Sequence, residues 1–184
     1  MNVRPTRVTT RICALDLSLA ATGYARNDTY GADDGSSSGV IPPTKLTGIP
    51  RLRYLRERVL DIADGADLVV LEGYAFARAN QAHQLGELGG VIRVALMDRG
   101  QPYTDVPPAN LKLFACGRGN ATKQEMLGAA IRKLGYERND HNEADALWLL
   151  EIATCGVGLS IAANDAQRRA LAKITWPEGV ACAR

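Results

Sequence analysis

Nowhere in the 184 residues do apolar side chains run on for the roughly 18–20 positions that a membrane-spanning helix needs. Metal and disulfide frameworks are missing too. The four cysteines (Cys13, Cys116, Cys155, Cys182) are scattered, with no CxxC pair and no Cys/His cluster, so reduced thiols are expected. Cys13 lies inside an apolar run and reads as a small core residue. The stretch CGRGNATK (116–123) lacks the Gly-Lys-Ser/Thr ending of a P-loop, which argues against that type of nucleotide site. There is no internal repeat and no long linker. Charge of one sign is not in excess either: the net value is +2, so bulk composition does not announce a nucleic-acid binder. No apolar signal core leads the chain, and a cytoplasmic protein without a membrane segment is the expectation.

What is present suits one globular domain with a sizeable core, at 46% hydrophobic and 23% charged residues. The expected layout is a basic N-terminal arm (1–10), a folded domain (11–156) and a C-terminal extension (157–184) holding a short basic helix near 166–174. Charge is uneven along the chain. Residues 111–138 carry six basic side chains against two acids, a local patch compatible with phosphate contacts and equally with a solvated helix face.

The first strand, RICAL (11–15), is followed by a small polar turn, a second strand at 23–26 and a Gly/Ser/Asp-rich loop (28–39). A brief third strand at 39–41 stops at Pro42 and Pro43, so an antiparallel meander opens the fold. Leu52, Leu55, Val59, Leu60 and Ile62 recur at helical spacing over 49–63. DLVVL (67–71) is a continuous apolar run, the pattern of a buried parallel strand. A small-residue helix (81–99), a strand (103–106) and helices over 109–115, 122–134 and 142–154 complete an α/β fold, a mixed sheet covered on its faces.

Three acids stand at unusual places. Asp16 directly follows RICAL, Glu72 directly follows DLVVL, and Asp145 lies in the opening of an otherwise apolar helix. Acids at the ends of buried strands point into the crevice where α/β sheets bind ligands. Gathered there, they repel one another unless cations join them, and hard oxygen-binding cations such as Mg²⁺ or Mn²⁺ are the natural partners. Taken singly, each acid also reads as an ordinary solvated loop or first-turn residue.

In order along the chain, ALDLSLAATGYA (14–25), VVLEGYAFARAN (69–80), QLGELGGVIRVAL (84–96), PANLKLFACGRGNATKQEM (108–126) and EADALWLLEIA (143–153) resemble segments of the RuvC-type Holliday-junction resolvases. The resemblance spans about residues 11–155. It implies a ribonuclease-H-like fold, with a three-stranded antiparallel start, then parallel strands, and helices on both faces. It further implies a Mg²⁺- or Mn²⁺-dependent endonuclease with two ions per site, acting on branched DNA as a homodimer. The implied metal-binding and catalytic set is Asp16, Glu72, Asn142 and Asp145. The family places Asp or His where this chain has Asn142, so the fourth ligand falls to Asn142, then His141, then Asp140, while Asp140 or Asn142 also reads as a helix cap. Lys112, Lys123, Arg118 and Arg78 match or adjoin DNA-facing positions, and Tyr74 and Phe76 are aromatics placed to stack on unpaired bases. The helix over 81–99 resembles the dimer element. Competing readings are another ribonuclease-H-fold nuclease acting on RNA or flaps, an actin-like ATPase or kinase-type domain, and a catalytically inactive junction-binding module.

Overall fold

A computed structural model describes residues 10–28, 38–73 and 79–178. Its strands are β1 (Ile12–Asp16), β2 (Gly23–Arg26), β3 (Ser38–Val40), β4 (Leu68–Glu72) and β5 (Tyr103–Val106). The helices are α1 (Gly48–Ile62), α2 (Ala79–Asp98), α3 (Pro108–Cys116), α4 (Lys123–Leu134), α5 (His141–Gly156) and α6 (Asp165–Leu171). The sheet order is β3-β2-β1-β4-β5, antiparallel through the first three strands and parallel from β1 to β4 to β5. The expected antiparallel start followed by parallel strands is therefore what the chain forms. The short basic helix near the C-terminus ends three residues earlier than its pattern suggests.

Two strand boundaries decide how the acids are held. Asp16 and Glu72 are the last residues of their strands, not the first of the loops beyond, because each has a ladder partner: Asp16 pairs with Gly23 and Glu72 with Val106. The ladder thus fixes the backbone that carries both acids.

Side chains alternate across the pleat and separate two cores. Ile12, Ala14, Leu68 and Val70 face α3, α4 and α5, where Phe114, Met126, Trp148, Leu149 and Ile152 are buried. Phe114 and Trp148 meet edge to face at 6.3 Å, and the indole N–H of Trp148 donates to the carbonyl of Met126 at 3.2 Å. Cys13, Leu15, Val69 and Leu71 face α1 and α2, which bury Leu52, Leu55, Val59, Leu88, Ile92 and Leu96. Cys13 is fully buried, as its apolar setting suggested, and burial pushes its thiol up to about 12.

Local signals set the helix ends. Thr122 and Glu125 form a reciprocal capping box at the start of α4, and Gly135 ends it in a left-handed conformation. At the end of the sheet where β1 begins, the buried guanidinium of Arg26 pairs with Asp28 and donates to the carbonyls of Ile62 and Asp64, tying β2 to the C-terminal end of α1. After α5 the chain folds back. Ala170 and Ile174 join the first core, the side chain of Asn110 reaches the carbonyl of Ala170, and Thr104 donates to the carbonyl of Thr175 at 2.6 Å.

Candidate active site

Because β1 and β4 are adjacent and parallel, with Leu15 beside Leu71, their final residues emerge next to each other. Asp16 and Glu72 therefore share one end of the sheet. Helix α5 crosses β1 and β2 and brings Asp145 to the same place. The crossing is close. A Cβ on Gly23 would lie 2.0 Å from the carbonyl oxygen of Asn142 and 2.9 Å from the amide nitrogen of Glu143, so only glycine admits the helix here. Asp16 and Asp145 are 7% and 9% exposed, and Glu72 is partly buried.

Burial is the chief reason that all three carboxyls hold their protons above the usual range. Asp16 is raised well above the ordinary carboxylate range, the charges of Glu72 and Asp145 adding to desolvation. Glu72 is raised by burial, against the opposing pull of its hydrogen bond with Asp16 and of Lys123 and Lys112. Asp145 is pushed up to about 7 by burial and then by Glu72, again against Lys123 and Lys112. Among the described residues no three His, Cys, Asp or Glu side chains already form a closed metal cage. The acids interact through space and through an Asp16–Glu72 hydrogen bond without being gathered to coordination distance. A buried set of carboxyl oxygens with like charges close by fits a divalent cation.

These raised protonation ranges give stability a definite pH dependence. An Asp ionising near 7 when folded and at ~3.9 when unfolded keeps its proton better in the folded state. Below pH ~4 both states are protonated and the group costs nothing. As pH rises through about 7 the folded state loses stability relative to the unfolded one, on the order of a few kcal/mol, and the cost is complete above that. In EDTA the melting temperature should therefore fall between pH 5 and pH 8. Asp145→Asn should flatten that slope and melt higher than wild type at pH 8. A flat wild-type profile over this window would refute the burial argument.

Lys112 on α3 and Lys123 at the first position of α4 are near enough for their charges to act on Glu72 and Asp145, and Lys123 acts on Asp16 as well. Arg118 is exposed and paired with Glu125, inside the capping box at the start of α4. Asp140 is the N-cap of α5, its Oδ1 accepting from the amides of Asn142 and Glu143 at 2.8 and 3.0 Å. That occupies one of its oxygens and settles which residue caps the helix. Asn142 lies one turn before Asp145. His141 has Nε2 3.4 Å from the Gln124 amide nitrogen and a covered Nδ1 without a partner among the described residues. Tyr74, Phe76 and Arg78 lie outside the described residues.

Two residues that the spacing of acids did not single out shape the site. Gly23 is one. The other is Glu143, 2% exposed between Asn142 and Asp145. It accepts from Ser38 Oγ at 2.8 Å and from the Tyr136 hydroxyl at 3.0 Å, and it pairs with Arg138. The cluster binds β3 to the first turn of α5 and so holds the helix end that carries Asp145. A signal for it did exist: α5 is buried almost all round, so any acid in its opening must be paired or functional. Glu143→Ala should cost about 1–3 kcal/mol, since it takes the acceptor from the buried hydroxyls of Ser38 and Tyr136, while Arg138, about half exposed, turns to water. Urea denaturation reads this, and a loss below about 1 kcal/mol would show that the network does not hold the helix.

A mixed five-stranded sheet in this order, with acids ending two adjacent parallel strands and a third on the helix across them, defines an α/β chain of the ribonuclease-H-like class. No family model matches the sequence. Similar curated proteins are the crossover junction endodeoxyribonucleases RuvC of Synechococcus sp. (strain WH7803), 29% identical over 144 residues covering 74% of this chain and 93% of that protein, and of Prochlorococcus marinus (strain MIT 9303), 29% identical and covering 79% and 97%. Among solved structures, Thermus thermophilus RuvC superimposes with a TM-score of 0.61 at 22% identity, covering 79% of this chain and 94% of that one. In fold, and in sequence over nearly the full length of these relatives, the chain is similar to RuvC.

Proposed function

We propose that this chain is a structure-selective endodeoxyribonuclease that resolves four-way DNA junctions and related branches by metal-dependent phosphodiester hydrolysis. The observation that carries the reading is the burial of Asp16, Glu72 and Asp145, from three distant segments, against one another at the end of the sheet. Curated relatives of similar length are named crossover junction endodeoxyribonucleases, and T. thermophilus RuvC, in complex with a Holliday junction substrate, shares the fold.

Asp16, Glu72 and Asp145 would hold Mg²⁺ or Mn²⁺, with Asn142 offering a neutral amide oxygen as a fourth donor. Bound there, two such ions would supply activation of water and stabilisation of the leaving oxygen of the phosphodiester. The protein's own groups do the rest. Asp16 and Glu72 give up their raised protons to serve as ligands, so activity should favour neutral to alkaline pH. Lys112 and Lys123 hold the scissile strand by its phosphates and oppose the rise in the carboxyls' protonation range. The capping box keeps Lys123 at the helix start facing the acids. Because the Asn142 amide lacks charge, it would hold a second ion more weakly than an Asp carboxylate would. Tyr74 and Phe76 we assign to stacking on bases opened at the crossover, and Arg78 and Arg118 to flanking phosphates.

A homodimer matches the two-fold symmetry of the substrate. Helix α2 supports it. Among the described residues a Cβ at Gly86 or Gly90 would meet no atom within 4 Å, so these glycines do not serve packing against them. Val94 and Met97 continue the same face, 58% and 65% exposed. Leu88, Ile92 and Leu96 occupy the opposite, buried side. We take 11–156 as the nuclease domain and the segment after it as a brace behind α3.

The test is Mg²⁺-dependent incision of a synthetic four-way junction, run beside duplex, flap and RNA–DNA hybrid substrates. Paired symmetrical cuts in the junction, with little cutting of duplex, are expected. Preference for the hybrid or the flap would reassign the substrate, and no cutting with tight junction binding would make the chain a binding module.

A further inference from the structure

Lys112 and Lys123 approach the carboxylates from α3 and α4, on one face of the sheet. A second group of cations arrives at the same end from the other face. β3 is antiparallel to β2, with Val40 beside Gly23, which pairs with Asp16, and the amide of Ile41 donates to the carbonyl of Thr22 at 2.8 Å. The chain therefore leaves β3 at the carboxylate end. It has only residues 42–47 to cover before α1 begins at Gly48. The far end of α1 is tied by Arg26, whose strand neighbour Cys13 marks the opposite end of the sheet. Helix α1 thus starts at the site end and runs away from it.

Its beginning is basic. Lys45, Arg51, Arg53, Arg56 and Arg58 fall within fourteen residues (45–58) that hold a single acid, Glu57. Arg58, lower on the helix, is paired with Asp61. Lys45, Arg53 and Arg56 are exposed, and among the described residues no carboxylate pairs with them or with the half-buried Arg51. The Nε of Arg51 is covered and has no partner among the described residues. Exposed Leu46 and Ile49 and half-buried Tyr54 lie between the cations, in a shallow groove beside Arg53.

We infer that the loop before α1 and its first two turns form a second phosphate-binding surface, in which Lys45, Arg51, Arg53 and Arg56 grip the backbone of a DNA arm leaving the site on the side opposite Lys112 and Lys123. This rests on the junction-nuclease reading above. Cations on both faces of the sheet end straddle the crevice, so a branched substrate with arms diverging from the cut gains contacts that one straight duplex does not. The contacts are to phosphate and carry no base preference.

The experiment compares three proteins that share an Asp16→Asn background, binding a fluorescent four-way junction and a duplex of equal length across a series of salt concentrations. One carries no further change, one carries Lys45→Ala with Arg53→Ala, and one carries Arg58→Ala with Arg99→Ala. The last pair removes the same charge from further along α1 and from just beyond the end of α2, and all four positions are exposed enough for folding to persist, as thermal melts would verify. The patch variant should bind the junction about ten- to a hundredfold more weakly near 0.1 M salt, with the log–log salt slope shallower by roughly 2. Its loss on the duplex should be smaller, and the control should stay within about twofold of the background. Equal slopes for patch variant and background, or equal losses for patch and control, would overturn the surface. Failure of the background protein to prefer the junction over the duplex would instead sink the reading beneath it, whatever the variants do.

Discussion

Asp16→Asn should reduce junction cleavage on the order of a thousandfold or more while leaving junction binding within a few-fold of wild type. The loss corresponds to several kcal/mol of transition-state stabilisation by a bound cation, each ~1.4 kcal/mol being a factor of ten. Binding survives because phosphate contacts come from lysines and arginines on the flanks, and neutralising an acid beneath the DNA even favours it. The same change should raise the melting temperature in EDTA, since burial and two acidic neighbours disfavour the ionised form of Asp16. Single-turnover incision assays and melts read the two effects. Normal cutting by Asp16→Asn would move the active centre elsewhere.

Gly23→Ala should be nearly as damaging, by a different route. The new methyl would overlap the backbone of Asn142, at 2.0 Å from its oxygen and 2.4 Å from its carbon, and backbone in a capped helix cannot step aside as a flexible side chain can. Overpacking costs typically 1–3 kcal/mol, and a clash with backbone belongs at or above the top of that range. Relief requires α5 to lift off β1 and β2, which carries Asp145 away from Asp16. Destabilisation in urea should therefore come together with a higher Mg²⁺ requirement for cutting. Full stability with unchanged Mg²⁺ dependence would mean that the close approach of α5 to β2 is not needed.

The fold was legible because its elements are short, strongly patterned and bounded by glycine and proline. RICAL and DLVVL can be little else than buried strands, and Leu52, Leu55, Val59 and Ile62 mark one face of a helix. Asp16, Glu72 and Asp145 were legible as a set since each interrupts an apolar run where a sheet end or helix start was expected. What stayed hidden depends on packing across long sequence separations. Glu143 and Asp145 look alike in EADALW, yet one is satisfied by Ser38, Tyr136 and Arg138 and the other faces the acids. No local pattern tells them apart, because Ser38 lies 105 residues away. The cations of α1 escaped for another reason. Their density is visible in the sequence, but only strand register shows which end of the helix meets the site.

The two ends of the sheet are built on opposite electrostatic terms. Where β1 begins, Arg26 is sunk with its donors matched to Asp28 and two main-chain oxygens. Where β1 finishes, carboxyls crowd without such settlement. A molecule so arranged should open unevenly, its amides exchanging with solvent soonest around the acids and latest around the arginine, with added divalent ions slowing exchange at the first end alone. Rigidity would then arrive at the business end together with the ions and substrate that require it, and the anchored end would preserve the framework in the meantime.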